Sequence, residues 1–190
     1  MNMYIGLTGS VAAGKGAVAD FLKEKGFEYI SLSNELRGIA KERNIEITRK
    51  NLQDLGNQLR EEQGAGVLAL LVHHRIINDK YNKAIIDGIR NPYEVEELRK
   101  LDNFYLISID APREKRFERM LLRNRESDPK TFEEFLAVDA RDKGIGEKET
   151  GQGVAKCMAM ANYSIINNGT LEELNEQIIK LYNGVLKKIC

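Results

Sequence analysis

Two glycines and a lysine near the start of the chain have the spacing of a phosphate-binding loop. Lys15 directly follows Gly14, and Gly9 lies five positions before Gly14. Glycines let backbone N–H groups turn inward around phosphate oxygens, the following helix presents its positive end, and the lysine reaches the outer phosphates. A tight turn alone would not need the lysine. We therefore predict a phosphate-binding loop with these members: Gly9, Ser10, Val11, Ala12, Ala13, Gly14, Lys15, Gly16 and Ala17.

The two residues after the lysine depart from the usual pattern, in which a Ser or Thr hydroxyl holds Mg²⁺. Here Gly16 and Ala17 follow. Asp87 ends an apolar strand, where a carboxylate can hold Mg²⁺ directly or through water; the alternative is an aspartate that caps a turn before Gly88. Mg²⁺ keeps several of its waters, so nucleotide oxygens, waters and Asp87 could suffice. Three residues are alternative hydroxyl sources: Thr8, Ser10 and Ser33.

Length and composition indicate a single globular domain. The chain has 190 residues, 42% of them hydrophobic, with 29 basic and 29 acidic side chains. This balance gives no general attraction to nucleic acid or membranes. Cys157 and Cys190 are far apart in sequence, which favours a reducing compartment over a disulfide framework. No apolar run reaches membrane-spanning length. We expect a cytoplasmic protein with neither nucleic-acid nor membrane partners.

Strand and helix patterns alternate along the chain. This alternation predicts an α/β fold in which a five-stranded, mainly parallel sheet is covered by helices on both faces, a three-layer sandwich. The predicted strands are residues 4–7, 27–32, 83–87, 104–109 and 163–166. The predicted helices are residues 15–25, 34–43 with Ser33 as the cap, a segment capped by Thr48, 67–77, a segment opened by Asn91 and Pro92, 112–125, 131–143 and a last segment capped by Thr170. A Glu three residues after Asn91, Thr131 and Thr170 predicts capping boxes at these three starts. The helical spacing of apolar residues predicts that Leu121 and Leu171 face inward.

The carboxyl ends of parallel strands lie at one edge of a sheet, where ligands bind in such folds. This placement brings together the phosphate-binding loop, residues 31–37, residues 87–91 and the loop after the last strand. Residues 144–153 are polar and glycine-rich and are predicted to form a loop.

Several segments resemble the P-loop nucleotide kinases. Residues 5–19 are similar to the opening of dephospho-coenzyme A kinases, and Gly-Lys-Gly at 14–16 is similar to adenylate kinases. Residues 30–37 resemble the adenylate-kinase segment whose arginine grips the acceptor phosphate. Residues 86–90 resemble Asp-Gly-Phe-Pro-Arg of that family, without the proline. Residues 161–169 are similar to a stretch that lies by the adenine of ATP in dephospho-coenzyme A kinases.

The resemblance implies one kinase domain over residues 1–190, with an acceptor-binding region at about 34–80 and a lid at about 123–143. It implies ATP and Mg²⁺ as cofactors and a small nucleotide-like acceptor. The implied catalytic residues are Lys15, Asp87, Arg123 and Arg141, with Asp87 at the metal. ATP would contact the phosphate-binding loop and Asn168, and the acceptor would contact Ser33, Arg37 and Arg90. Weaker lid candidates are Arg119 and Arg125; a solvated helix face is the alternative for all the lid arginines.

Two acceptors and a second function stay open. Residues 31–37 favour a nucleoside monophosphate, whereas both ends of the chain favour dephospho-coenzyme A. The alternative function is a nucleotide-binding regulatory module or slow ATPase with no small-molecule acceptor. Gly16 and Ala17 motivate this alternative, and the arginine-rich lid argues against it. Asp54, Gln58 and Arg60 could face either a substrate or solvent.

Overall fold

The structure, a computed structural model, describes residues 2–124 and 128–187 and contains one parallel five-stranded sheet. In chain order the strands are β1 (Met3–Gly9), β2 (Glu28–Ser31), β3 (Lys83–Asp87), β4 (Phe104–Asp110) and β5 (Tyr163–Ile166). Their spatial order is β2-β3-β1-β4-β5, and every neighbouring pair is parallel. The predicted α/β fold with a mainly parallel sheet is confirmed, and the pairing is parallel throughout.

Helices follow the strands as expected for repeated βαβ units. They are α1 (Lys15–Glu24), α2 (Leu32–Glu42), α3 (Arg49–Gln63), α4 (Val67–Asn78), α5 (Pro92–Leu98), α6 (Arg113–Arg123), α7 (Phe132–Lys143), α8 (Val154–Ala159) and α9 (Leu171–Leu181). A π-helical turn, Tyr182–Leu186, follows α9. None of the helices among the described residues is long and apolar enough to cross a membrane.

The sheet separates two hydrophobic cores because alternate residues of a strand face opposite sides. On β1, Ile5 and Leu7 pack with α1 and α9, whereas Tyr4 packs on the other side with α2, α3, α4, α5 and α8. Every residue of β1 is buried, as expected for a central strand of a helix-covered parallel sheet. The three-layer arrangement follows from these two cores.

Most predicted helix starts are correct. Thr48, Asn91, Thr131 and Thr170 each accept a backbone N–H through the side chain, and the last three form complete capping boxes. Capping satisfies N–H groups that have no partner within the helix. The predicted cap at Ser33 is wrong because α2 begins earlier, directly after β2.

Three details of the predicted helices differ in the structure. Leu121 and Leu171, expected to face inward, are 44% and 60% exposed. On α6 a charged residue, Arg116, takes the inner position beside Met120. The short helix α8 was not expected, and its cysteine, Cys157, is buried. Arg125 and Cys190 lie outside the described residues.

Candidate functional site

A cleft of about 770 Å³ runs along the carboxyl edge of the sheet. The phosphate-binding loop lies at one end, which we call the donor side. Residues of α2 and α3 line the other end, which we call the acceptor side. Strand register sets this arrangement, since Leu7, Asp87 and Ser31 are paired across three neighbouring strands. The charged residues of the cleft are six bases, Lys15, Arg37, Arg60, Arg90, Arg119 and Arg123, and three acids, Asp87, Asp128 and Asp142.

The phosphate-binding loop has the backbone geometry that its glycines suggested. Gly9 and Gly14 have φ angles of 135° and 111°, which L side chains rarely adopt. A Cβ at Gly9 would lie 1.9 Å from the carbonyl oxygen of Ile109, and one at Gly14 would lie 2.6 Å from Nδ2 of Asn167. Gly14 also caps α1, so the free N–H groups of the first helical turn border the cleft. The loop therefore suits an anion.

The amine of Lys15 folds back onto the loop. Its Nζ donates to the carbonyl oxygens of Gly9 at 2.8 Å and Ser10 at 3.0 Å. Burial lowers the pKa of Lys15 to about 8; the charge of Asp87 acts in the opposite direction, and the charge of Arg90 adds to the lowering. An anionic ligand in the loop would offset the cost of keeping this amine charged.

Two predicted ATP-binding residues lie away from the cleft wall. The side chain of Ser10 is 1% exposed, and its Oγ has no hydrogen-bond partner among residues 2–124 and 128–187. Asn168 lines a separate, shallow depression beside α9. Its neighbour Asn167 contacts the loop instead: Nδ2 donates to the carbonyl oxygen of Ala13 at 2.9 Å. The other loop residues all line the cleft.

Asp87 ends β3 and lines the cleft together with the phosphate-binding loop. Its Oδ1 accepts the N–H of Gly88 at 2.7 Å, and its Oδ2 accepts the hydroxyl of Tyr29 at 2.7 Å. Burial, followed by the charge of Asp87, raises the pKa of the Tyr29 phenol, which therefore keeps its proton. A Cβ at Gly16 would meet no atom within 4 Å, which leaves space at the cleft for metal-bound water. Oxygen ligands and room for water suit Mg²⁺.

The predicted acceptor residues all line the cleft. Arg37 is exposed, and its Nη1 donates to Oδ1 of Asn34 at 3.1 Å. Arg90 follows β3, and its guanidinium has no hydrogen-bond or ion-pair partner within the described parts of the chain. Ser33 lies beside Gly88. The structure thus brings Arg90 and Ser33 close to the end of β3, with Arg37 one turn further along α2.

A third acceptor-side arginine, Arg60 of α3, is buried and fixed. Its Nε and Nη2 donate to Oε1 of Glu94 at 3.1 and 2.7 Å, and Nη1 donates to Asn57 at 3.3 Å. Glu94 is fully buried, and its Oε2 accepts the backbone N–H groups of Arg90 and Asn91 at 2.8 and 3.0 Å. One carboxylate therefore holds both the Arg60 guanidinium and the backbone that carries Arg90.

The three predicted lid arginines that the structure describes, Arg119, Arg123 and Arg141, all have protein partners. Arg123 lines the cleft and forms a two-point ion pair with Asp128, at 2.7 and 2.8 Å. Arg119 also lines the cleft, and its Nη2 donates to Oδ1 of Asn167 at 3.0 Å.

Arg141 is not among the residues that line the cleft; it bridges α7 to α3. Its Nε donates to Glu147 at 2.8 Å and its Nη1 to Oε1 of Gln53 at 2.9 Å, and Nη2 lies 3.5 Å from Asp54. Asn57 adds a hydrogen bond to Glu147 at 3.1 Å. We call this α3–α7 group of five side chains the clasp.

Comparison with known proteins places the chain in a family. A UPF0200 protein of Pyrococcus abyssi is 35% identical over 97% of this chain and 97% of its own length. The chain belongs to the UPF0200 family. A second UPF0200 protein, from Methanothermobacter thermautotrophicus, is 34% identical over 99% of this chain and 94% of its own length. The family profile described as "AAA domain" matches residues 5–142.

Solved structures show the same fold for this UPF0200 protein. Dephospho-CoA kinase from Campylobacter jejuni superposes with a TM-score of 0.57 at 18% identity, over 100% of both chains. Shikimate kinase from Acinetobacter baumannii, in complex with shikimate, superposes with a TM-score of 0.58 at 18% identity, over 97% of this chain and 94% of its own length. The fold is that of the P-loop nucleotide kinases. At this identity the similarity concerns the fold.

One charged residue that the sequence analysis missed, Arg116, organises the donor side of this UPF0200 chain. Arg116 is only 1% exposed. Its Nη1 and Nη2 donate to the carboxylate of Asp139 at 2.7 and 3.1 Å. Its Nε donates to the carbonyl oxygen of Ala111 at 2.9 Å, and Nη1 also donates to the carbonyl oxygen of Val11 at 3.3 Å. It also lies over the ring of Phe135. The available signal was its position four residues before Met120, on the inner face of α6.

Proposed function

We propose that this UPF0200 protein is an ATP-dependent phosphotransferase that moves the γ-phosphate of ATP to a small nucleotide-like acceptor. The observation that carries the proposal is a single cleft with cations at both ends. Lys15 and the α1 terminus lie at the donor end, and Arg37 and Arg90 lie at the acceptor end. A protein that only bound or hydrolysed a nucleotide would have little need for the second set.

The donor side binds and orients phosphates. Backbone N–H groups of the loop and of the first turn of α1 would hold phosphate oxygens, because they have no partner within the helix. The charged amine of Lys15 would leave its two carbonyl partners and contact the outer phosphates. Mg²⁺, held by Asp87 through its remaining lone pairs or through water, would neutralise charge on the phosphate oxygens.

The acceptor side would hold an anionic group of the acceptor. Arg90 is the first candidate because its guanidinium has no partner among residues 2–124 and 128–187 and its backbone is fixed by Glu94. Arginine pairs with phosphate in two-point geometry and keeps its charge. In the transfer, the bond from the γ-phosphorus to the ADP oxygen breaks as a bond to an acceptor oxygen forms. A monophosphate acceptor is already an anion, so no base is needed to remove a proton from it. A hydroxyl acceptor, as in dephospho-coenzyme A, would lose a proton, and the carboxylate of Asp87 in the same cleft would accept it.

A nucleoside monophosphate and dephospho-coenzyme A are the two candidate acceptors. A panel assay of ADP release with AMP, CMP, UMP, GMP and dephospho-coenzyme A separates them. We expect one class of acceptor to raise the rate well above the rate with water alone. Arg90→Met should raise KM for that acceptor roughly 10- to 100-fold, the value of a hydrogen bond to a charged group, and leave KM for ATP unchanged. Arg99→Met, on the outer end of α5, is the control.

The second candidate function is a nucleotide-binding regulatory module or slow ATPase. It is favoured by the ion pairs of Arg123 and Arg141, because carboxylates of the protein already hold the charges that a lid would bring to the transferring phosphate. The same panel decides between the two. If no acceptor raises ADP release above the rate with water, the transferase proposal is wrong.

A further inference from the structure

We propose that Tyr29 is a positioning residue for Asp87, and that its hydroxyl fixes the carboxylate in the direction needed to hold a nucleotide-bound Mg²⁺. The inference rests on the proposed nucleotide-binding function and goes beyond it by assigning a role to a residue of the edge strand β2. The carrying observation is the hydrogen bond of 2.7 Å from the Tyr29 hydroxyl to Oδ2 of Asp87.

The register of the sheet places these two side chains on one face. Tyr29 is opposite Ile85, and Ser31 is opposite Asp87. Residues two apart on a strand face the same side, so Tyr29 and Asp87 form a diagonal pair on the α1 side of the sheet. The length of the tyrosine ring spans this diagonal. Both residues line the cleft, on the same side of the sheet as Lys15.

The two donors to Asp87 leave it oriented but available. The Gly88 N–H occupies one site on Oδ1, and the Tyr29 hydroxyl occupies one site on Oδ2. A carboxylate has about four lone-pair sites, so each oxygen keeps one for a metal ion or a metal-bound water. Partners of this kind, which orient a metal-binding carboxylate without touching the metal, strengthen metal binding.

The sequence of the phosphate-binding loop increases the importance of this orientation. Gly16 supplies no hydroxyl, so the protein's contribution to the ion depends more heavily on Asp87 than in loops that end in Ser or Thr. If the Asp87 carboxylate could rotate away from the nucleotide, the protein would bind the Mg²⁺ ion more weakly. Tyr29 prevents that rotation.

The chain offers a matched control for the tyrosine hydroxyl. Tyr93 has the same exposure as Tyr29, 38%, and its hydroxyl donates to a carboxylate of Glu149 at 2.8 Å. Tyr93 lies on α5, outside the set of residues that line the cleft. Tyr29→Phe and Tyr93→Phe therefore each remove a hydroxyl that donates to a carboxylate from an equally exposed residue, and only the first change reaches Asp87.

The experiment measures binding rather than turnover. A fluorescent ADP analogue is bound to wild-type protein, Tyr29→Phe, Tyr93→Phe and Asp87→Asn, first in EDTA and then during titration with MgCl₂. We expect Tyr29→Phe to raise the Mg²⁺ concentration for half-maximal enhancement of binding on the order of 10-fold. Tyr93→Phe should match the wild type, Asp87→Asn should show the largest rise, and affinity in EDTA should be the same for wild type and both tyrosine variants.

Each other outcome overturns the inference. A wild-type Mg²⁺ titration for Tyr29→Phe means that its hydroxyl does not support metal binding, and equal shifts in both tyrosine variants mean a general loss of stability. If Asp87→Asn gives the same Mg²⁺ titration as the wild type, Asp87 does not support metal binding, and Tyr29 cannot act through it. Failure of the proposed function is separate: the titrations would show the expected shifts while no acceptor in the panel receives phosphate.

Discussion

The donor and acceptor sides of the cleft are built in different ways. On the donor side the loop is shaped by its own backbone and held by buried side chains, Asn167 at Ala13 and Arg116 at Val11. On the acceptor side the clasp joins α3 to α7 through partly exposed side chains, among them Gln53, Asn57 and Glu147. Buried, fully paired groups are rigid, whereas exposed polar bridges exchange readily with water. We infer a preformed donor side and an acceptor side that opens at the clasp to admit its ligand, while the buried Arg60–Glu94 pair keeps the backbone of Arg90 in place.

The largest effect should follow from removing the donor-side cation. Lys15→Ala should lower phosphoryl transfer by about 10³-fold, since a single preorganised charge at the transferring group is worth this much. The fold should remain, because within the described residues the amine donates hydrogen bonds only to the carbonyls of Gly9 and Ser10. Rates from the ADP-release assay and a thermal unfolding curve measure both expectations. Retained activity in a folded variant would remove Lys15 from the mechanism.

The rigid anchoring of the donor side should appear as a large stability effect. Burial opposes ionisation of Asp139, but the hydrogen bonds and charge of Arg116 hold its pKa below the ordinary value. Asp139→Asn should lower the free energy of unfolding by about 3–5 kcal/mol. The change removes the nearest carboxylate from the buried Arg116 charge, at 2.7 Å, and leaves Asp110, 4.0 Å from Nε, as a more distant partner. Since the carboxylate pKa is lowered, the stabilisation is present at neutral pH and is lost as pH falls below the ordinary aspartate range.

Urea denaturation at pH 7 measures the effect of Asp139→Asn. Asp54→Asn is the control: its carboxylate, 53% exposed, lies 3.5 Å from Arg141, and it should cost at most about 1 kcal/mol. Equal losses for the two variants would contradict the difference between the buried and exposed networks.

Nucleotide affinity should depend on pH through Lys15. Its pKa is about 8 in the folded chain against 10.5 ordinarily. Below about pH 8 the Lys15 amine is charged in both the folded and the unfolded chain. Between pH 8 and 10.5 the amine is neutral in the folded chain but still protonated in the unfolded chain, so the contribution of Lys15 to folding stability rises with pH. Phosphate needs the charged amine, so ADP affinity should fall by up to about tenfold per pH unit above pH 8. Titration calorimetry from pH 7 to 9.5 measures the ADP affinity. The Lys15→Met variant should bind ADP more weakly than the wild type, and its affinity should not fall with pH above pH 8.

Removing side chains of the clasp should change stability less than the other substitutions do. It should also show whether the cleft opens between α3 and α7. Arg141→Met and Glu147→Ala should each cost at most about 1 kcal/mol of unfolding free energy. Both should speed amide hydrogen exchange in α3, where Gln53 and Asn57 lose partners. Hydrogen-exchange mass spectrometry at low and high salt measures this. If Arg141→Met and Glu147→Ala lower turnover equally, Arg141 acts only through the clasp. If Arg141→Met lowers turnover more than Glu147→Ala does, the result supports the catalytic role that the resemblance to a lid implies.

The sequence predicted what local chemistry determines. The glycine turns between β1 and α1, the strand ending at Asp87 and the capping boxes depend on residues within a few positions of one another, and the structure has each of them at the predicted residues. The clasp and the Arg116–Asp139 pair depend on contacts between separate helices, which spacing does not encode. Leu121 and Arg116 illustrate the limit: apolar character predicted the first to face inward, yet an arginine with a buried carboxylate partner occupies that face. Asn168 was one residue away from the side chain that reaches the loop.

The contact between Asn167 and the phosphate-binding loop also bears on the synthesis of the chain. Asn167 and Ala13 are 154 positions apart, and the amide fills the space that a Cβ at Gly14 would need. During translation the loop leaves the ribosome early, while its anchor follows only after most of the sheet has been made. Early nascent chains therefore expose a loop without its support. We infer that nucleotide binding matures late in synthesis, when β5 completes the edge of the sheet.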